Sequence, residues 1–207
     1  MSIKLEIACF DFESALNAQS AGADRIELCS AQSEGGVTPS YGLIELARKN
    51  IQIDLNVIIR PRGGNFCYSD SEYEIMENDI LICKSLGVNG VVFGIMNEDK
   101  TVDKIGNSEL VQLAYPMTTT FHRAFDETPD VMLALEDVIG CGFTRILTSG
   151  HKPTAIEGAK LISKMKESAK DRIIIIPGGG VRKKNINELI RITNAKEYHS
   201  SSTNIIL

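Results

Sequence analysis

The chain has 207 residues, 43% hydrophobic and 24% charged, with a formal net charge of −5. These are the proportions of a globular protein with one sizeable core, and the acidity argues against general affinity for nucleic acid or an anionic membrane. No apolar run reaches transmembrane length. The opening "MSIKLEIACF" carries no signal-peptide run, and the five cysteines (Cys9, Cys29, Cys67, Cys83, Cys141) are odd in number without C-x-x-C spacing. Reduced thiols in the cytoplasm are therefore expected, rather than a disulfide framework or a closed zinc site.

In chain order, short apolar runs alternate with longer amphipathic stretches. "IKLEIAC" (3–9) reads as a first strand, followed by a helix over 12–22. "RIELC" (25–29) is the second, with Glu27 and Cys29 two residues apart and so on one face of it; a helix over 40–50 follows. "IDLNVIIR" (53–60) runs into Pro61, Arg62, Gly63 and Gly64, ahead of a helix over 70–87. "GVVFG" (90–94) precedes a helix over 108–116, and "TTTFHR" (118–123) one over 130–142. "TRILTS" (144–149) leads to a helix over 154–168, and "RIIIIPG" (172–178) to one over 184–193. "KEYHSS" (196–201) is the eighth strand, and the closing "STNIIL" leaves no length for an eighth outer helix.

Eight strands alternating with helices predict a parallel sheet closed as a TIM-like (β/α)₈ barrel, one domain over residues 1–207, lacking its last outer helix. The competing reading is an open doubly wound sheet; no G-x-G-x-x-G follows the first strand, which weakens its dinucleotide-binding version.

In such a barrel, sites lie where strands end at their C-terminal side. Glu6 and Glu27 interrupt apolar runs where a valine would cost less, because an unpaired buried charge is expensive. The third strand exits at Arg60 and Arg62, held apart by Pro61, and the fifth at His122, Arg123 and Asp126. The expectation is a catalytic group of Glu6, Glu27, Arg60, His122, Arg123 and Asp126. In it the arginines face the carboxylates across the barrel mouth, and Asp126 or Glu6 orients His122 for proton transfer. Gly178, Gly179 and Gly180, with Arg62, Ser200 and Ser201, form an expected anion or phosphate site, and His199 joins the pocket wall. A structural ion-pair layer is the alternative account of the same charges. His151 reads as an exposed loop residue.

The motifs "ADRIELCS", "EGGVTPS", "IIRPRGGNFCYSD", "TFHRAFD", "ILTSG" and "PGGGV" run in order over nearly the whole chain. Together they resemble the CutC family. The resemblance implies a TIM-like barrel, cytoplasmic and self-associating as a homodimer or higher homo-oligomer, linked to copper homeostasis. It also implies a Cu(I) site using Cys29 and a cysteine of the first strand. That second position falls here at Ala8; Cys9, next to it, points to the opposite face, which leaves Cys67 as the substitute sulfur. The residues by themselves favour the other reading, a barrel enzyme acting on a small anionic or phosphorylated metabolite.

Overall fold

The computed structural model describes residues 3–202. Eight strands follow one another in the order expected: β1 (Lys4–Cys9), β2 (Arg25–Leu28), β3 (Asp54–Ile58), β4 (Gly90–Phe93), β5 (Thr118–Phe121), β6 (Arg145–Thr148), β7 (Ile174–Pro177) and β8 (Glu197–Ser201). All neighbours pair in parallel, in the order β7-β6-β5-β4-β3-β2-β1-β8. The barrel is nearly closed: no hydrogen-bonded ladder joins β7 to β8 among the described residues. Among the described residues, seven α-helices alternate with the strands: α1 (Phe12–Ser20), α2 (Tyr41–Asn50), α3 (Asp70–Leu86), α4 (Lys104–Ala114), α5 (Val131–Gly140), α6 (Ala159–Ala169) and α7 (Ile186–Thr193). The expected lack of an eighth helix concerns residues 203–207, which lie outside the described ones.

Local chemistry explains the boundaries. Asp11 and Ser69 close capping boxes at the starts of α1 and α3, satisfying backbone N–H groups that no helix carbonyl reaches. Gly87, at φ 71°, ends α3 in the left-handed conformation that suits glycine. Two helices depart from the periodicity reading. α4 starts at Lys104, four residues early, because Asp103 accepts from the Ile105 and Gly106 N–H groups. α6 starts at Ala159 rather than Thr154, because Gly158 is pressed against the β6 exit; a Cβ there would stand 1.9 Å from the Ser149 carbonyl oxygen.

Strand alternation then sorts the side chains. Outward residues such as Ile26, Leu28, Leu55, Val57, Val91, Phe93, Phe121 and Ile146 are buried in the core shared with Met76, Ile80, Leu110, Leu135, Ile162 and Leu189 of the helices. Each such aliphatic side chain contributes about 1.5–3 kcal/mol on burial. The inward set holds the polar side chains together with apolar ones such as Ala8, Ile58 and Leu147. Glu6 is in register with Arg25 on one side and His199 on the other, and Ala8 with Glu27.

Candidate active site at the barrel mouth

The lowest polar layer is an ion cluster. Arg25 Nε donates to Glu6 Oε2 at 2.5 Å and Arg25 Nη2 to Glu197 Oε2 at 2.5 Å; Arg145 Nε reaches the same Glu197 oxygen at 3.0 Å. Asn56 Nδ2 donates to Glu6 Oε2 at 3.3 Å. All five residues are buried, so each charge depends on its partners to offset lost hydration. Burial would lift the Glu6 carboxyl, but hydrogen bonding from His199 and the Arg25 charge outweigh it and hold it at about 2.

Above this layer, His199 bridges to the cavity. Its Nδ1 lies 2.8 Å from Glu6 Oε1 and its Nε2 3.6 Å from Glu27 Oε2. Burial works against a charged imidazole, yet the Glu6 hydrogen bond and the two carboxylates raise the His199 pKa above its ordinary value. Glu27 behaves oppositely to Glu6. Burial, with the Glu6 charge adding to it, pushes its carboxyl up to about 7 against the pull of His199. Two carboxylates on adjacent strands are thus driven apart by their surroundings, the arrangement that separates a fixed anion from a proton-transferring group.

Glu27 opens into a cavity of about 280 Å³ at the C-terminal ends of the strands, also lined by Ala8, Cys29, Arg60, His122, Arg123, Gly179, Gly180, Arg182, His199, Ser200 and Ser201. Phe10, Ile58, Phe66 and Leu147 supply apolar wall. His122 is only 5% exposed; burial, then the nearby Arg60 charge, lower its pKa to about 3. Its Nδ1 accepts from the Ala124 N–H at 3.4 Å, while Nε2 has no partner among the described residues.

Most of the expected residues converge here, but several do other work. Arg60 does not face Glu6 or Glu27. Its Nη1 donates to the Glu34 and Gly36 carbonyls at 2.6 and 2.9 Å and its Nη2 to the Gly64 carbonyl at 2.8 Å, and the guanidinium stacks 4.8 Å over Phe66. It staples the loops after β2 and β3 together. Arg62 lies off the cavity, paired with Glu72 at 2.5 Å and donating to the Gly63, Asn65 and Cys67 carbonyls, so it clamps its own loop rather than an anion. Asp126 does not orient His122. It accepts from Thr148 Oγ1 at 2.5 Å, the Ser149 N–H and Oγ, the His151 N–H and Arg123 Nε, which fixes the loop after β6. Gly178 leaves the cavity to its two successors; a Cβ there would stand 2.4 Å from Leu147 Cδ1, so its role is close packing. His151 is half-buried, near Thr128 and edge-on to Phe125, rather than exposed.

The residues the sequence reading missed are Arg25, Arg145, Glu197 and Arg182. Arg25 and Glu197 share strand parity with Glu27 and His199, and that parity was the available signal. Arg182 Nη1 donates to Ser200 Oγ at 3.1 Å and its Nη2 to Ser201 Oγ at 3.3 Å, so it joins the serines at the rim. Gly179 and Gly180 hold φ of 99° and 70°, a turn that L side chains resist.

The sulfurs do not fit a two-cysteine Cu(I) site, which needs thiolates converging on one ion. Cys29 is the cavity's sole thiol among the lining residues. Burial, with Glu27 beside it, pushes that thiol well above its ordinary pKa, which opposes the thiolate a soft metal requires. Cys9 sits on the opposite face in the outer core, as strand alternation predicts. Cys67 lines a separate depression with Asn65, Phe66 and Met96.

Comparison with known proteins gives a consistent picture. A sequence profile of the CutC family matches residues 3–204. A human protein named copper homeostasis protein cutC homolog is 46% identical over 198 residues, covering 96% of this chain and 72% of its own. A Chromobacterium violaceum family protein CutC is also 46% identical, covering 96% of this chain and 80% of its own. A crystal structure of CutC from Streptococcus agalactiae superposes with a TM-score of 0.91 at 35% identity, over 97% of this chain and 98% of that one. Phosphoribosylanthranilate isomerase from Thermotoga maritima, at 14% identity and a TM-score of 0.65 over 99% of this chain and 90% of that one, shares the barrel fold alone.

Proposed function

The chain belongs to the CutC family, and from that premise we propose that its part in copper homeostasis, for which relatives are named, runs through small-anion chemistry at the barrel mouth. A cysteine-pair Cu(I) carrier is the less favoured reading, because Ala8 stands where the second sulfur would be needed and Cys67 lines another depression. The ligand is a small anionic, in particular a phosphorylated, metabolite.

The observation that carries this reading is one cavity with two chemically different ends. At the rim stand Arg123, Arg182, Ser200, Ser201 and the Gly179–Gly180 turn. Guanidinium groups and exposed backbone at a glycine turn suit a multivalent oxyanion, and the loops after the seventh and eighth strands are a recurrent phosphate position in barrels of this kind. On the inner wall stand Glu27, backed by the His199–Glu6 pair, and His122. An anion anchored at the rim would present its remaining atoms to the acid–base groups. The free thiols support a cytoplasmic location, and the family resemblance supports self-association.

The test is thermal unfolding in sodium phosphate against sodium chloride at matched ionic strength. Phosphate should raise the Tm of the wild type and of Arg62→Ala, whose side chain lies off the cavity, and raise that of Arg123→Ala much less. Equal behaviour in phosphate and chloride rejects the reading.

A further inference from the structure

His122 carries the next step, which rests on the small-anion reading above. With Nδ1 accepting from the Ala124 N–H, the ring proton resides on Nε2. That nitrogen is buried, has no partner among the described residues, and belongs to a ring lining the cavity. The ring is held by Phe66, with centroids 4.7 Å apart, and by Phe121 at 6.1 Å. Its low pKa keeps it neutral, so what it offers a ligand is one N–H donor in a place shielded from water.

A buried donor without a partner costs free energy unless a ligand completes it. The complementary atom is an acceptor oxygen that gains negative charge during reaction, because donors already aimed at such an oxygen stabilise it without reorganising. Glu27 lines the same cavity and, among the described residues, makes no direct hydrogen bond to a cation; His199 Nε2 is 3.6 Å away. Carboxylate, neutral imidazole donor and the proposed anion rim therefore line one half-open cavity of about 280 Å³, at the small end of ligand cavities.

We propose that the cavity binds a small phosphorylated compound carrying a carbonyl next to a C–H bond, and that the site moves that proton. The phosphoryl group sits at Arg123, Arg182 and the Gly179–Gly180 turn. Glu27 carboxylate accepts the proton from the carbon beside the carbonyl; the C–H electron pair becomes the new C=C bond, and the carbonyl π pair moves onto oxygen. His122 Nε2–H donates its hydrogen bond to that oxygen and stabilises the enolate. Glu27 then returns a proton to the carbon that lost it; the C=C pair forms the new C–H bond, the oxygen pair re-forms the carbonyl, and the compound is regenerated with its proton exchanged. Atoms and electrons balance without an oxidant, reductant or co-reactant, and the pairing of a carboxylate base with a neutral imidazole is an established physical solution to enolisation.

The experiment is proton NMR in D₂O with dihydroxyacetone phosphate, glycolaldehyde phosphate and ribulose 5-phosphate, following loss of the signal of the proton next to the carbonyl. Wild-type protein should accelerate exchange of at least one of them well above the protein-free rate. Glu27→Gln, purified in parallel, should fall to that rate, which also excludes a contaminating isomerase. His122→Leu should lose about 100-fold or more, and His122→Gln, which keeps a neutral N–H donor, should recover part of that loss. No acceleration with any compound, while phosphate still stabilises the protein as described above, overturns this inference and leaves the anion reading standing. Absence of both overturns the two together. Exchange that survives Glu27→Gln overturns the assignment of the base.

Discussion

His199 Nδ1 lies 2.8 Å from Glu6 Oε1, and this single contact ties the structural ion layer of the barrel to the carboxyl that faces the cavity. Glu6 is held charged at about 2 by His199 and Arg25, while Glu27, on the far side of the same imidazole, is lifted to about 7 by burial. The first carboxylate is a fixed anion and the second a group that exchanges protons near neutrality.

Glu6→Gln should be strongly destabilising. It leaves the buried Arg25 with Glu197 as its one anionic partner among the described residues and, because the Gln amide keeps a single acceptor oxygen, turns an NH2 toward either Arg25 or His199, and breaking a buried pair costs about 3–5 kcal/mol. Urea unfolding at pH 7 is the check, with an unchanged m-value. A loss below about 1 kcal/mol would mean that the layer does not depend on this charge.

Glu27 should make the protein less stable as pH rises. Its folded pKa, about 7, lies above the ordinary carboxyl value of 4.5, so between these pH values the folded state retains a proton that the unfolded state has lost. The associated stability is complete below pH 4.5 and lost as pH passes through 7. Relative to wild type, Glu27→Gln should therefore gain stability progressively over that window, reaching on the order of 3 kcal/mol by pH 8. A pH-independent difference between the two proteins contradicts the assignment.

Cys29→Ser should leave Cu(I) affinity unchanged. The thiol is buried, held protonated and without a second sulfur in its cavity. Anaerobic titration against a competing chelator is the check, and tight binding abolished by this one substitution would restore the cysteine reading.

Gly179→Ala should cost about 1–3 kcal/mol, because φ is 99° and the new Cβ would stand 3.2 Å from Ser149 Cβ and 3.4 Å from Arg123 Nη1. Thermal unfolding should show this loss together with a smaller phosphate response. A variant as stable and as responsive as the wild type would show that the turn is not strained and does not shape the rim.

Much of the fold was legible because parallel strands and their helices leave a periodic signal, and the eight strands fall where the apolar runs are. Glu6 and Glu27 were also legible, as carboxylates inside apolar runs. Their partners were not. Arg60 was the apparent counter-ion because it leaves a neighbouring strand, but which side chains meet depends on register. Register sets Glu6 beside Arg25 and His199, and a one-residue slip would exchange every face. Arg25 and Arg145 start their strands and resemble ordinary surface charges until closure turns them inward. Arg60 and Arg62 are held by carbonyls of loops whose shape periodicity does not encode. The three consecutive glycines read alike, although Gly178 serves packing while Gly179 and Gly180 line the cavity.

The most direct test of the central claim is an amide NMR titration of the wild-type protein with inorganic phosphate at constant ionic strength, following Gly179 and Gly180. The account predicts saturable shifts at these two amides that are much reduced in Arg123→Ala. Shifts confined to other parts of the chain, or linear and unsaturated shifts at these two, would contradict it.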